Sequence, residues 1–308
     1  MTVFGPLYTP SGSAQGALDA LLAALRARHG EAIDAVLFYG SCLRSGELLD
    51  GLVDLYVIVR DYRAAHAGTL EALANRALAP NVYYLQAASA AGTVRSKYGV
   101  WSLVDLQRAV SPAWFESYGW GRLCQPVAVV YHRDAQSLER VRAGLRRAAI
   151  TFLDRTLPAL PASAPLPELW AQALALSYAT ELRVEGGGRA ATLVEANRAF
   201  FEAATREVRA ALRWPLELDG VRVRSQVPQA ARRRARIAWR LRRVQGKLLS
   251  IARLLKALAT FEGGFDYIAW KLERHSGHRI EIPERVRRHP LLFVWALLWR
   301  LWRDGVLR

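Results

Sequence analysis

Cysteine is almost missing from this 308-residue chain: Cys42 and Cys124 stand far apart with no CxxC or Cys/His spacing, which excludes a disulfide scaffold and a structural zinc site. Long apolar runs are missing too. None reaches the roughly 18–20 residues that a membrane-spanning helix requires, and MTVFGPLYTPSGSAQG lacks the basic-then-apolar order of a secretory signal, so a soluble or peripheral protein is expected. Lysine is scarce, at 4 residues against 39 arginines, a bias that reads as a genome preferring arginine codons. Against that bias Lys97, the only lysine before Lys247, stands out. Acidic residues number 27 against 43 basic ones, giving a net charge of +16 and a pI near 10.6. Such a surface field draws in polyanions, whether nucleic acid, anionic lipid or nucleotide phosphates.

What is present falls into three stretches. Residues 15–28 carry leucines at helical spacing, and AVLFYGS is a short apolar run closing on Gly40 and Ser41, which predicts helix, strand and tight turn. LVDLYVIV, NVYYLQ, VRSKYGVWS and PVAVVY read as further strands, with helices near residues 67–77 and from DLQRAV onward. From Asp134 the pattern turns helical in LERVRAGLRRAAITFLDRTL, PELWAQALALSYATELRV and EANRAFFEAATREVRAAL, with the Pro-rich LPALPASAPLP between the first two. The remainder is basic and aromatic, with RRRARIAWRLRR at residues 232–243 and HPLLFVWALLWRLWR near the end, and no internal repeat is visible. The expected division is therefore 1–137, 138–225 and 226–308.

The chemistry begins at Gly40 and Ser41, at a strand end, with Asp54 inside the next strand. Small residues let backbone donors approach a phosphate, and a hard cation such as Mg2+ takes carboxylate oxygens. This is the arrangement of the DNA polymerase β-like nucleotidyltransferases, and an ordinary strand-to-turn junction has the same pattern. Most of that superfamily place a second acid two residues after the first, on the same face of the strand; here the position is Tyr56. Lys97 offers a compact ammonium suited to a single phosphate oxygen. Its plain alternative is a surface lysine at a strand end.

Taken in order, FYGS (38–41), VDLYVIVRD (53–61), VYY (82–84), KYGV (97–100), GRLCQPV (121–127) and SYATELR (177–183) resemble the mitochondrial translocator assembly and maintenance family of phosphatidate cytidylyltransferases. The resemblance implies an α+β fold with a nucleotidyltransferase-type mixed sheet, then a helical second module of winged-helix-like kind that completes the active site, then a basic amphipathic C-terminal region. It also implies transfer of a cytidylyl group from CTP to phosphatidic acid, yielding CDP-diacylglycerol and pyrophosphate in phospholipid and cardiolipin synthesis. The roles it implies are catalytic for Asp54, Lys97 and Glu181, nucleotide- or phosphate-binding for Gly40, Ser41, Tyr98, Arg122 and Arg183, and Mg2+-holding for Asp54 and Glu181. Asp61 is a second candidate for the missing carboxylate, or a helix cap. Glu181 can equally be a solvated helix charge, and Arg122 and Arg183 structural ion-pair partners. The chain departs from the family's SY-x-GD-x-R block at Thr180 and Glu181, from its Gly-Ser-Gly turn at Cys42 and from its Lys-Pro at Gln125-Pro126.

A phosphatidate substrate stays in its bilayer, so the active site must come to the headgroups. PLLFVWALLWRLW, flanked by Arg287, Arg288, Arg300 and Arg303, reads as an interfacial helix with Trp295, Trp299 and Trp302 at headgroup level, or else as a core helix. Each basic residue near an anionic leaflet adds about 1 kcal/mol. The expected location is peripheral, at the cytoplasmic face of a bacterial inner membrane, with nucleic acid left open as a partner of the arginine-rich segment. His275 and His278 read as solvated, since no third metal ligand accompanies them. A nucleotidyltransferase acting on RNA or a soluble phosphate, and a non-catalytic basic scaffold with a degenerate pocket, are the competing readings.

Overall fold

The structure, a computed structural model, describes residues 2–10, 12–182, 188–220, 222–260, 283–288 and 299. α1 (Ser13–His29) leads into β1 (Ile33–Tyr39), α2 (Ser41–Ser45), β2 (Val53–Val59), α3 (Tyr62–Ala65), α4 (Thr69–Ala77), β3 (Asn81–Ser89) and β4 (Gly92–Ser102). α5 (Leu103–Ala109), α6 (Tyr118–Leu123), β5 (Val127–His132) and α7 (Ala135–Thr156) follow. The chain continues through β6 (Ser163–Pro165), α8 (Leu166–Tyr178), α9 (Arg189–Ala196), α10 (Arg198–Val208), β7 (Leu216–Asp219), β8 (Arg222–Ser225), α11 (Gln229–Thr260) and α12 (Glu284–Arg288).

The first five strands make one mixed sheet in the order β3-β4-β2-β1-β5. β2 and β4 run parallel, and the other neighbours are antiparallel. Strand side chains alternate between faces, and here the alternation sorts the core into two. Val36, Phe38, Leu55, Val57 and Tyr98 pack with Leu18, Leu21 and Leu25 of α1. Ala35, Leu37, Tyr56 and Ile58 point the other way, against Trp120 of α6 and Leu145 and Phe152 of α7.

That second cluster continues to Trp170, Phe201 and Trp239. Phe152 stacks on Trp170 at 5.3 Å, and Trp239 meets Trp120 edge-on at 5.9 Å. Burying each such side chain contributes about 1.5–3 kcal/mol, so α8, α10 and α11 are fixed to the sheet by shared apolar surface. The α+β class expected from the sequence is the class observed.

Two expectations change. The helix read through Glu181 stops at Tyr178, because Thr180 folds back, its hydroxyl 2.7 Å from the Ser177 carbonyl and 2.7 Å from the Ser117 hydroxyl. Glu181 therefore lies in a turn, not on a helix face. The Pro-rich linker supplies β6, which joins the β7–β8 hairpin in a three-stranded sheet of order β6-β8-β7.

Candidate active site

β1 ends in Tyr39 and β2 begins at Val53, and their register sets Tyr39 opposite Asp54. On the other side Asp54 is opposite Lys97 of β4. Register partners leave a sheet on one face, so Tyr39, Asp54 and Lys97 form a row on the face that carries Tyr56.

The turn after Tyr39 closes on this row. Gly40 has φ 91° and caps α2, and a Cβ there would lie 2.6 Å from Asp54 Oδ2. Two separate constraints, the left-handed backbone and the carboxylate contact, thus require glycine. Ser41 is exposed at the start of α2. Cys42, which departs from the family's turn, points its thiol inward to the Leu52 carbonyl at 3.3 Å, and only a glycine at 51 leaves room for it.

Burial pushes the Asp54 carboxyl above its ordinary pKa, and Lys97, Arg122 and Arg189 pull against that rise. Arg189, the first residue of α9, was not singled out by sequence reasoning; its signal was its place at a helix start just beyond the Gly-rich 186–188 stretch. Arg122 is the hub of the site. Its Nη2 lies 2.5 Å from Glu181 Oε2, its guanidinium rests 4.8 Å from the Tyr118 ring centroid, and its Nε is buried with no hydrogen-bond partner among the described residues. Burial opposes its charge, but Tyr118, Glu181, Tyr56 and Tyr39 outweigh burial and hold it above the usual range.

Tyr56, in the place of the superfamily's second acid, is fully buried and stacks on Tyr39 with centroids 4.4 Å apart. Burial raises the hydroxyls of both, and Glu181 acts on Tyr56 in the same direction. The charge of Glu181 is thus felt at Tyr56, and both residues act on Arg122. Arg183 lies outside the described residues, and the ion-pair partner of Glu181 is Arg122.

Tyr98 is a correction. As neighbour of Lys97 on a strand it leaves the opposite face, is fully buried under α1, and sets its hydroxyl 3.1 Å from His29 Nε2, so it does not reach the row of Asp54. Asp61 lies beyond the far end of β2 and caps α3 by accepting from Arg63 N at 2.8 Å. At about 3.3 Å per residue it sits some seven residues from Asp54, too distant to share an ion with it.

The departures from the family blocks are accommodated locally. Thr180, where the family has glycine, fits because α11 carries Gly246 beside it: a Cβ on Gly246 would meet the Thr180 Cβ at 2.9 Å. Gln125 donates to the Gly121 carbonyl at 2.7 Å and accepts from the Tyr178 hydroxyl at 3.1 Å.

Among the described residues no group of three or more His, Cys, Asp or Glu is gathered. Magnesium in nucleotide sites is held by one or two carboxylates plus substrate phosphates. Asp54, packed against the Gly40 turn, is one such carboxylate, and the Glu181 carboxylate is engaged by Arg122. Of the expected membrane residues, Arg287 and Arg288 belong to α12, Trp299 is exposed, and Trp295 and Trp302 lie outside the described residues, as do His275 and His278.

No helix among the described residues is long and apolar enough to cross a membrane. No curated protein matches the chain. The family model described as phosphatidate cytidylyltransferase, mitochondrial, matches residues 56–203, the stretch that holds Lys97, Arg122, Glu181 and Arg189. Residues 56–203 are therefore similar to the phosphatidate cytidylyltransferase family, whose chemistry is nucleotidyl transfer.

Proposed function

We propose that the chain transfers a cytidylyl group from CTP to phosphatidic acid at a membrane surface, with magnesium, releasing pyrophosphate and forming CDP-diacylglycerol. The observation that carries this reading is the Tyr39–Asp54–Lys97 row with the Gly40 turn closed upon it, in a chain whose residues 56–203 match this family.

A phosphate monoester has a second pKa of about 6, so near neutral pH its oxygen attacks as an anion and needs no dedicated base. The O–Pα bond forms as the bond from Pα to the pyrophosphate oxygen breaks, and the electron pair leaves with pyrophosphate. Magnesium, when bound with the triphosphate, would be held by Asp54 and Glu181 and supplies charge neutralisation. Lys97, Arg122 and Arg189 bind and orient the phosphates, Gly40 and Ser41 offer backbone and hydroxyl donors, and Arg183 is assigned the same task from the family block. Tyr56 and Tyr39 wall the row with apolar rings, which keeps water out and strengthens the charge contacts.

The membrane part of the reading rests on Arg287, Arg288, Trp295, Trp299 and Trp302, and removal of residues 285–308 is expected to weaken vesicle binding while CTP binding survives. Assignment to the cytoplasmic face of a bacterial inner membrane, as against the mitochondrial setting in the family's description, is part of the proposal and is tested by fractionating the source cell. The net charge of +16 favours a second reading, nucleotidyl transfer to RNA. Purified protein with magnesium, CTP and either phosphatidate vesicles or RNA decides between them. CDP-diacylglycerol from vesicles, absent with Asp54→Ala, supports the lipid reading, and product from RNA alone overturns it.

A further inference from the structure

α11 has two faces of opposite kind. Trp239, Arg242, Gly246 and Arg253 turn inward: Trp239 and Arg242 are buried, Gly246 lies on Thr180, and Arg253 grips Glu116 at 2.7 and 3.0 Å. Ile237, Leu241, Val244, Leu248, Ile251 and Leu255 are exposed, five of them by 58–61%. At 3.6 residues per turn these six fall within a sector of about 80°, opposite the inward four, and run about 27 Å along the axis. A contiguous apolar stripe of this length on a helix face marks an interaction surface.

The flanks say what it meets. Arg236, Arg240, Arg243 and Lys247 are exposed along one side of the stripe, and the 32 residues of α11 contain no Asp or Glu. A second copy of the same helix would bring like charges together with no acid to pair them. Nucleic acid would satisfy the arginines and leave the leucines in water. An anionic lipid surface satisfies both, with the apolar side chains among the acyl chains and the cations at the headgroups.

We propose that the outer face of α11 is a docking surface for an anionic bilayer, lying in the plane of the headgroups. The proposal deepens the lipid-substrate reading above and rests on it only for the reason a bilayer is needed. The inner face gives the docking a consequence. Arg253 also lies 4.2 Å from the Tyr118 ring centroid, the ring on which Arg122 rests, and Lys256 donates to the carbonyls of Leu78 and Pro80. Pro80 packs within 3.3 Å of the position of a Cβ on Gly99, which Tyr56 touches from the same face. The helix on the bilayer is thus the helix that holds two walls of the nucleotide site.

Full-length protein is sedimented with phosphatidylcholine vesicles, with and without phosphatidylglycerol, an anionic lipid that is not the substrate. Wild type is expected to bind the anionic vesicles and not the neutral ones, more tightly at low salt. Leu241→Glu with Leu248→Glu is expected to weaken that binding at least tenfold, with an unchanged melting temperature, mass and turnover of a soluble short-chain phosphatidate. Equal binding by the variant overturns the proposal. So does a fall in melting temperature, which would mean another part of the chain covers the stripe, or a halving of molecular mass, which would mean a second copy does. Stripe-dependent binding of RNA, with none to vesicles, overturns it too. Loss of vesicle binding in the variant, with no CDP-diacylglycerol made even by wild type, leaves the docking surface standing and removes the enzymatic reading.

Discussion

Asp54 on β2 and Lys97 on β4 are register partners across a parallel strand pair, and the charges acting on the Asp54 carboxylate are those of Lys97, Arg122 and Arg189. Desolvation nevertheless wins, and the folded-state pKa is raised. A carboxyl with a raised pKa binds its proton more tightly folded than unfolded, so its ionisation costs stability once the pH passes the unfolded value. Asp54→Asn removes that cost. The variant is expected to melt at the same or a higher temperature near neutral pH while turnover falls by at least about 100-fold, the scale of losing a charge-stabilising group. Calorimetry beside a pyrophosphate-release assay checks both; a large drop in melting temperature would make Asp54 structural.

Gly40→Ala should cost more than backbone strain. At φ 91° and ψ −160° the backbone is open essentially to glycine alone, so a Cβ there costs about 1–3 kcal/mol, and the added methyl meets Asp54 Oδ2 at 2.6 Å. The carboxylate has to move. The expectation is a modest stability loss with a disproportionate loss of CTP affinity, read by thermal shift with and without CTP. Gly46→Ala is the control: its left-handed backbone, φ 77° and ψ −7°, also penalises a Cβ, by about 1–2 kcal/mol, but nothing lies within 4 Å of that Cβ, so CTP affinity should survive.

Much of this arrangement was legible because strand periodicity and turn chemistry are local. The runs ending at Tyr39 and starting at Val53 declared themselves as strands, and Gly40-Ser41 before Asp54 gave the turn and its acid. Face assignment is equally local once the register is known, yet Tyr98 was read by its place in the KYGV block instead of by its parity with Lys97, which sends it under α1. The Arg189–Asp54 and Arg253–Tyr118 relationships were harder to read, since each joins segments separated by 135 residues in a chain with 39 arginines to choose from. Glu181 was misplaced on a helix because apolar spacing continues to Tyr178, and the Thr180 contact with Ser117 that ends the helix is tertiary.

Arg253 and Glu116 form a bidentate, mostly buried pair, exposed 15% and 7%. Removing one member of such a pair leaves an uncompensated charge and costs about 3–5 kcal/mol. Arg253→Ala is expected to destabilise on that scale, and Arg253→Lys by less, since a single ammonium replaces only part of the fork. If Arg253 also positions Tyr118 and so Arg122, the lysine variant should lose turnover at saturating CTP more than its lost stability explains. Unchanged kcat in a folded Arg253→Lys protein would restrict the residue to a structural role.

On the far face of the sheet, acid sensitivity should trace to His66. The Asn81 backbone donates to Asn75 Oδ1 at 2.6 Å, which leaves the Asn75 amide nitrogen facing His66 Nε2 at 3.0 Å. Nε2 must therefore accept, and the ring's proton sits on Nδ1, 3.3 Å from the Tyr83 hydroxyl. Protonating Nε2 would set two donors against each other in a buried site. Burial first, then His29, Arg28 and Lys256, lower the His66 pKa to about 4, and the Glu71 carboxylate 3.6 Å away does not reverse this. The unfolded chain takes up a proton near the ordinary value of 6.5 and the folded one does not, so the stability held above that pH is lost as the pH falls from 6.5 toward about 4. The slope for one such group is about 1.4 kcal/mol per pH unit. Thermal melts across this window should show a falling midpoint, and His66→Gln should flatten the fall, leaving the smaller share of His29, whose pKa burial also lowers. A variant with the wild-type slope would move the acid sensitivity to another group.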